Sequence, residues 1–164
     1  MADEIRTARL VLRRARTEDS LAMHAIMSDP EAMRFWSTLP HSTLAETERW
    51  MASMVEADPA TSDDFIVTLD GRLIGKLGAW KLPEIGFLFA PQCWGRGYAL
   101  EAMIAYIDRR RARGTPELTA DVDPRNAASL KLLDRVGFRE CGRASGTFQV
   151  GGQLCDSIYL RLAL

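Results

Sequence analysis

Residues 92–99 read Gln92-Cys93-Trp94-Gly95-Arg96-Gly97-Tyr98-Ala99, with two glycines set just before a helical pattern. Glycine lets a backbone approach a ligand closely. The first N–H groups of a helix have no internal partner, and with the helix dipole they form an anion site suited to a pyrophosphate. Arg96 adds a positive charge. A plain strand-to-helix turn also uses two glycines, so Gly95-x-Gly97 alone leaves both readings open. The absence of Gly-Lys-Ser/Thr excludes a Walker loop. In a dinucleotide-binding fingerprint the third glycine would fall on Leu100, too bulky for close helix–strand packing. Asp121 and Asp123 close the next strand pattern as a ribose-binding acid would. However, Pro91–Trp94 separate the preceding strand from the first glycine, and a hairpin comes before it, so a dinucleotide-binding oxidoreductase ranks below the reading that follows. Cys93 has no histidine near it in sequence to activate it and reads as a packing residue.

The elements that must position this loop can be read from periodicity and punctuation. Leu10–Arg16 is a strand pattern. Thr17, followed by Glu18 and Asp19, caps a helix running to about Ser28. Thr43 and Glu46 fit a capping box for a second helix ending near Ala57. Phe65–Leu69 and Arg72–Trp80 flank Asp70-Gly71, a hairpin signal, and Glu84–Ala90 continues the run. After the loop, Leu100, Met103, Ile104 and Ile107 predict one apolar helix face. Glu117–Val122 is a further strand. Asp123-Pro124-Arg125-Asn126 opens a helix lined by Ala127, Leu130, Leu133 and Val136 and stopped at Gly137. Phe138–Val150 and Gln153–Leu162 form a last hairpin around Gly151-Gly152. The order β-α-α-β-β-β-α-β-α-β-β predicts an α/β or α+β fold: a mixed, mostly antiparallel sheet of about seven strands with about four helices.

The chain has 164 residues, 47% of them apolar and 26% charged. It is expected to form one domain, residues 1–164, with core enough to need no disulfide or metal staple. A net charge of −1 gives no overall drive toward nucleic acid or an anionic membrane. The acidic opening and the lack of any apolar run near about 18 residues predict neither a signal peptide nor a membrane span. Cys93, Cys141 and Cys155 are odd in number and dispersed, and His24 and His41 have no metal-ligand spacing. A cytoplasmic protein with free thiols and no metal is the expectation. Arg109, Arg110, Arg111 and Arg113 close a helix just before Gly114, where cations complement the dipole. That reading is preferred to a nucleic-acid patch.

Gln92-x-x-Gly95-x-Gly97-Tyr98-Ala99 resembles the acyl-CoA pyrophosphate loop of the GNAT acetyltransferases, Q/R-x-x-G-x-G/A. Glu84-Ile85-Gly86-Phe87 before it, and Val122-Asp123-Pro124-x-Asn126-x-x-Ser129 with Gly137-Phe138 after it, are similar to the RimJ/RimL-type branch. The resemblance implies a V-shaped sheet whose two central strands splay at their C-terminal ends to admit pantetheine. It implies that backbone groups of Phe87, Leu88 and Phe89 bond the pantetheine amides. Backbone N–H groups from Trp94 through Gly95, Arg96, Gly97, Tyr98 and Ala99 would hold the pyrophosphate. Asn126 would bond the pantetheine arm; after Asp-Pro it also reads as a helix cap or Asx turn. A homodimer is a family-level expectation.

The implied reaction is direct transfer of an acetyl group from acetyl-CoA to a primary amine, either a protein N-terminus or a small molecule. Glu84 is the candidate base, acting through water, and shares a strand face with Gly86 and Leu88; it also reads as a solvent-exposed acid at a strand start. Many family members place a tyrosine acid seven residues after the motif asparagine, where this chain has Leu133. Ser129 takes the place of the branch's serine and would orient the sulfur or relay a proton through water. Trp36 and His41 are candidates to shape the acceptor pocket, and Trp50 is expected in the core. The alternative is a non-catalytic acyl-CoA-binding module, suggested by Leu133 and by the poor acidity of Ser129.

Overall fold

The computed structural model describes residues 3–164. It contains strands β1 (Glu4–Arg6) and β2 (Leu10–Arg13), helices α1 (Ser20–Met27) and α2 (Leu44–Val55), and strands β3 (Asp63–Leu69), β4 (Arg72–Lys81) and β5 (Glu84–Phe89). Helix α3 (Tyr98–Ala112), strand β6 (Glu117–Val122), helix α4 (Ala127–Arg135) and strands β7 (Arg139–Val150) and β8 (Gln153–Ala163) complete it. The strands form one eight-stranded sheet in the order β1-β2-β3-β4-β5-β6-β8-β7. Every neighbouring pair is antiparallel except β5 and β6. This is the α+β fold expected, with one strand more than seven. The extra strand, β1, spans three residues, too few for alternation to register, and is held by pairing Ile5 with Leu12.

Alternation along the strands divides the core between the two sheet faces. On one face Leu12, Phe65, Val67, Leu77, Ile85, Phe89 and Leu118 pack with Met103, Tyr106 and Ile107 of α3 and Leu133 of α4. On the other, Ile66 and Leu88 meet Met23, Ile26 and Met27 of α1 and Met51 and Met54 of α2. Trp50 packs at the margin of this second cluster and is only partly buried.

Helix α3 is rotated from the face that periodicity predicts. It buries Ala102, Met103, Tyr106, Ile107 and Arg110, whereas Ile104 is 49% exposed. Two amphipathic residues account for the rotation. Tyr106 is fully buried and meets Phe65 edge-on, with ring centroids 6.2 Å apart. Arg110 reaches inward to Asp63 Oδ2 at 2.8 Å.

Asp63, only 2% exposed, also pairs with Arg14 at 2.8 Å and Arg109 at 3.1 Å. Burial pushes its carboxyl up, but the hydrogen bonds from Arg109, Arg110 and Arg14 outweigh that and hold it at about 2. Arg109 and Arg110 thus join α3 to the sheet. The sequence assigned them only to the helix dipole.

Candidate active site

The geometry of the site begins where the central strands part. β5 and β6 pair only at Glu84 and Thr119, with the Thr119 N–H donating to the Pro83 carbonyl at 3.0 Å. Beyond that point no further pair joins them among the described residues, so the inner edge of β5 is open. Which backbone groups face the opening follows from the pairing on the other side. Ala90 donates to Ile74 of β4 at 2.9 Å. In an antiparallel ladder, successive residues point their backbone groups alternately toward and away from the partner. Phe89 and Phe87 therefore present N–H and C=O to the splay, while Leu88 turns toward β4. A Cβ on Gly75 of β4 would stand 2.3 Å from the Leu88 carbonyl, so only glycine fits there. Of the three residues expected to offer backbone groups, Phe87 and Phe89 thus have them open and Leu88 does not, while all three line the cavity.

The β5–α3 loop presents unpartnered backbone N–H groups as the sequence led one to expect, with one change. Pro91–Cys93 form a short 3-10 turn in which the Trp94 N–H donates to the Pro91 carbonyl at 3.1 Å. The unpartnered run of N–H groups therefore starts at Gly95 and continues through Arg96, Gly97, Tyr98 and Ala99. Gly97, at φ +80°, is the N-cap of α3 and has no side chain to cap the first turn. A side chain is strained at this left-handed φ, and a capping oxygen would take up an amide. Gln92 and Arg96 are exposed and do not line the cavity.

Loop, strand and helix α4 surround a cavity of about 510 Å³. Phe87, Leu88, Phe89, Trp94, Gly95, Gly97, Tyr98, Ala99, Asn126 and Ser129 of the expected set line it. Asn126 caps α4: its Oδ1 accepts from the Ser129 N–H at 3.2 Å. That leaves the Asn126 amide NH₂ for a ligand, so capping and binding are compatible. Leu133 is fully buried in the core.

Glu84 stands apart from the cavity, at the closed end of the splay. Phe87 is about 10 Å further along the strand at 3.3 Å per residue. Glu84 is exposed, as an acid at a strand start would be, yet partial loss of hydration and then the charge of Asp121 push its carboxyl above its ordinary value. Trp36 lies over Gly86 on this side, 3.8 Å from where a Cβ would be, and lines the cavity with Glu31, Arg34 and Phe35. His41 does not reach the cavity lining. It shares the buried Thr47 hydroxyl with His24, at 2.8 and 2.7 Å, and so ties the α1–α2 loop to both helices. Burial holds the His41 imidazole below its ordinary value; Glu46 opposes this, while His24 and Arg49 add to it.

Several cavity residues carried no sequence signal. Lys131 and Arg135 of α4 are among the residues that line the cavity and bring positive charge to it. Cys93, read from the sequence as a packing residue, is partly buried and does pack against both cores, and it lines the cavity as well. Among the described residues no cluster of three or more histidine, cysteine or acidic side chains has the arrangement of a metal site. No helix among them is long and apolar enough to cross a membrane.

The family described as acetyltransferase (GNAT) domain matches residues 9–139. An uncharacterized N-acetyltransferase of Bacillus licheniformis, p20, is 28% identical over 161 residues, covering 92% of this chain and 90% of its own. Two solved structures share the fold. The first is an acetyl transferase from Salmonella typhimurium described as modifying the N-terminal serine of the 50S ribosomal subunit protein L7/L12. It aligns with a TM-score of 0.88 at 16% identity over 99% of each chain. The second is spermidine N-acetyltransferase from Vibrio cholerae, solved with CoA and spermine, at a TM-score of 0.82 and 19% identity over 96% of each chain.

Proposed function

The chain belongs to the GNAT acetyltransferase family, and from that premise we propose that it moves an acetyl group from acetyl-CoA directly to a primary amine, with the diphosphate on the N–H groups of Gly95–Ala99. The observation that carries this reading is the unpartnered run of amides beside the open inner edge of β5, both facing one cavity. Pantetheine would add to β5 as a strand does, through Phe87 and Phe89, and bond the Asn126 amide. Lys131 and Arg135 would attract the phosphates.

The chemistry then follows from elementary needs. The attacking amine must be neutral. An α-amino group has an ordinary pKa near 8 and lysine near 10.4, so an N-terminal or α-amine needs less help at pH 7. Glu84, with its carboxyl raised, would take the proton through water. An N–H on the open edge of β5 would hold the oxyanion, where a fixed dipole is most effective. The leaving thiol has an ordinary pKa near 8.5, so it departs with modest assistance. Ser129, one of the residues that line the cavity, would orient the sulfur or pass a proton through water.

The acceptor is a protein N-terminus or a small amine; related folds act on either kind. The test is release of free CoA thiol with a panel of peptide N-termini and small amines, with the acetylated atom located by mass. Turnover above background with one class supports the enzyme and names the acceptor class. CoA binding without thiol release for any amine would leave a non-catalytic acyl-CoA module. A homodimer is part of the same proposal and is checked by its mass in solution.

A further inference from the structure

The turn between β1 and β2 reaches across to the β5–α3 loop, 87 residues away in sequence. There Arg9 makes four contacts. Its Nη1 donates to the Arg96 carbonyl at 3.1 Å, and its Nε donates to Glu101 Oε2 at 2.7 Å. Its backbone N–H donates to Glu101 Oε1 at 2.9 Å, and its guanidinium lies 4.6 Å over the Tyr98 ring. The Thr7 hydroxyl donates to the same Glu101 carboxylate at 2.6 Å. A Cβ placed on Gly97 would stand 3.4 Å from Arg9 Nη2.

Two physical needs meet in this arrangement. Helix α3 starts from a glycine that supplies no cap. An ordinary cap would fix the entry of the chain but would consume an amide that the anion needs. Arg9 fixes the same loop from its carbonyl side, through Arg96, and braces Tyr98, leaving the amides free. The second need is electrostatic. Glu101 lies in the first turn of α3, where a carboxylate suits the dipole but repels an incoming diphosphate. The Arg9 guanidinium cancels that charge in place. Burial pushes the Glu101 carboxyl up, but the Thr7 and Arg9 hydrogen bonds outweigh this and keep it ionised, so the charge is permanent near neutrality.

We infer that Arg9 is a positioning residue for the acetyl donor: it sets the affinity for CoA by latching the loop at Arg96 and by neutralising Glu101. This rests on the loop being the diphosphate site.

The experiment is calorimetric titration of CoA into the full chain carrying Arg9→Ala, Arg9→Lys, Glu101→Gln or both Arg9→Ala and Glu101→Gln, with thermal unfolding of each. Arg9→Ala is expected to weaken CoA binding about tenfold, the scale of one charge-assisted contact. Arg9→Lys is expected to recover part of the loss by keeping the charge. The double variant is expected to bind more tightly than Arg9→Ala, because the uncancelled carboxylate is gone while the glutamine Oε1 still accepts from Thr7. A merely structural role gives no such gain, since the glutamine Oε1 still accepts from Thr7 and restores none of the Arg9 contacts. A double variant that binds no better than Arg9→Ala, or an Arg9→Ala variant with unchanged affinity, overturns the inference. Gly97→Val separates this failure from failure of the loop reading: if Gly97→Val also leaves CoA affinity unchanged, the diphosphate site itself is wrong.

Discussion

The indole Nε1 of Trp94 donates to the backbone carbonyl of Phe89 at 3.0 Å. That carbonyl faces the splay, where a pantetheine amide would seek it. The loop therefore engages, with one of its own side chains, an acceptor that pantetheine would use in the proposed binding mode. Binding would exchange the indole for the ligand and move Trp94. We expect CoA to change the tryptophan emission of the wild type, and Trp94→Phe to remove most of the change, leaving the part that Trp36 at the cavity wall contributes. Trp94→Phe should also tighten binding about two- to tenfold, because a hydrogen bond of this kind contributes about 0.5–1.5 kcal/mol net. Emission that ignores CoA, together with weaker binding by Trp94→Phe, would show that the indole stays in place.

Glu84 is raised by lost hydration and by Asp121, yet lies outside the cavity lining. A base acting through water requires the ionised form, so turnover should rise with pH through the Glu84 pKa, which lies above its ordinary value. Glu84→Gln should remove that limb and lower kcat by about 100-fold, the low end for general acid–base catalysis. CoA affinity should hardly change, since no diphosphate or pantetheine contact is lost. Equal turnover of the two proteins across pH 6–9 would remove Glu84 from the chemistry.

The local parts of this molecule were legible because they are written locally. The Asp70-Gly71 and Gly151-Gly152 turns fall between their strands as read, and the glycine loop precedes α3 as read. What was hidden depends on partners far away in the chain. Which of Phe87, Leu88 and Phe89 faces the splay cannot be known before β4 pairs with β5, because strand parity is set by that register. The rotation of α3 was missed because Tyr106 and Arg110 count as polar in a periodicity reading, although Phe65 and Asp63 give each a buried partner. Arg9 belongs to no motif near the loop, and only the fold brings it to Arg96.

Asp63 has its carboxyl lowered from 3.8 to about 2 through Arg109, Arg110 and Arg14, after burial has pushed the other way. A carboxyl depressed in the folded state stabilises the protein above its unfolded pKa and loses that contribution as pH falls through its folded pKa. The stability from Asp63 should therefore be complete above about pH 4 and decline between pH 4 and 2. Asp63→Asn leaves three guanidinium groups without their shared charge, and breaking such a buried cluster costs about 3 kcal/mol. The gap in Tm between wild type and Asp63→Asn should be widest near neutrality and close as the pH drops from 4 to 2. A gap that stays constant over that range would show that the carboxylate charge contributes nothing to the fold.

The binding of the CoA diphosphate by the backbone of Gly95–Ala99 is tested most directly at Gly97, where φ is +80° and no side chain intervenes. The measurement is calorimetric titration of CoA into wild type and Gly97→Val, with thermal unfolding to confirm that both are folded. A β-branched side chain is strained at positive φ and would press on Arg9, whose Nη2 lies 3.4 Å from a Cβ placed there, so the loop that carries the amides would have to shift. Wild type should bind CoA saturably and Gly97→Val should lose at least about 100-fold in affinity, or about 2.8 kcal/mol. A folded Gly97→Val protein that binds CoA as tightly as wild type would contradict the assignment of this loop.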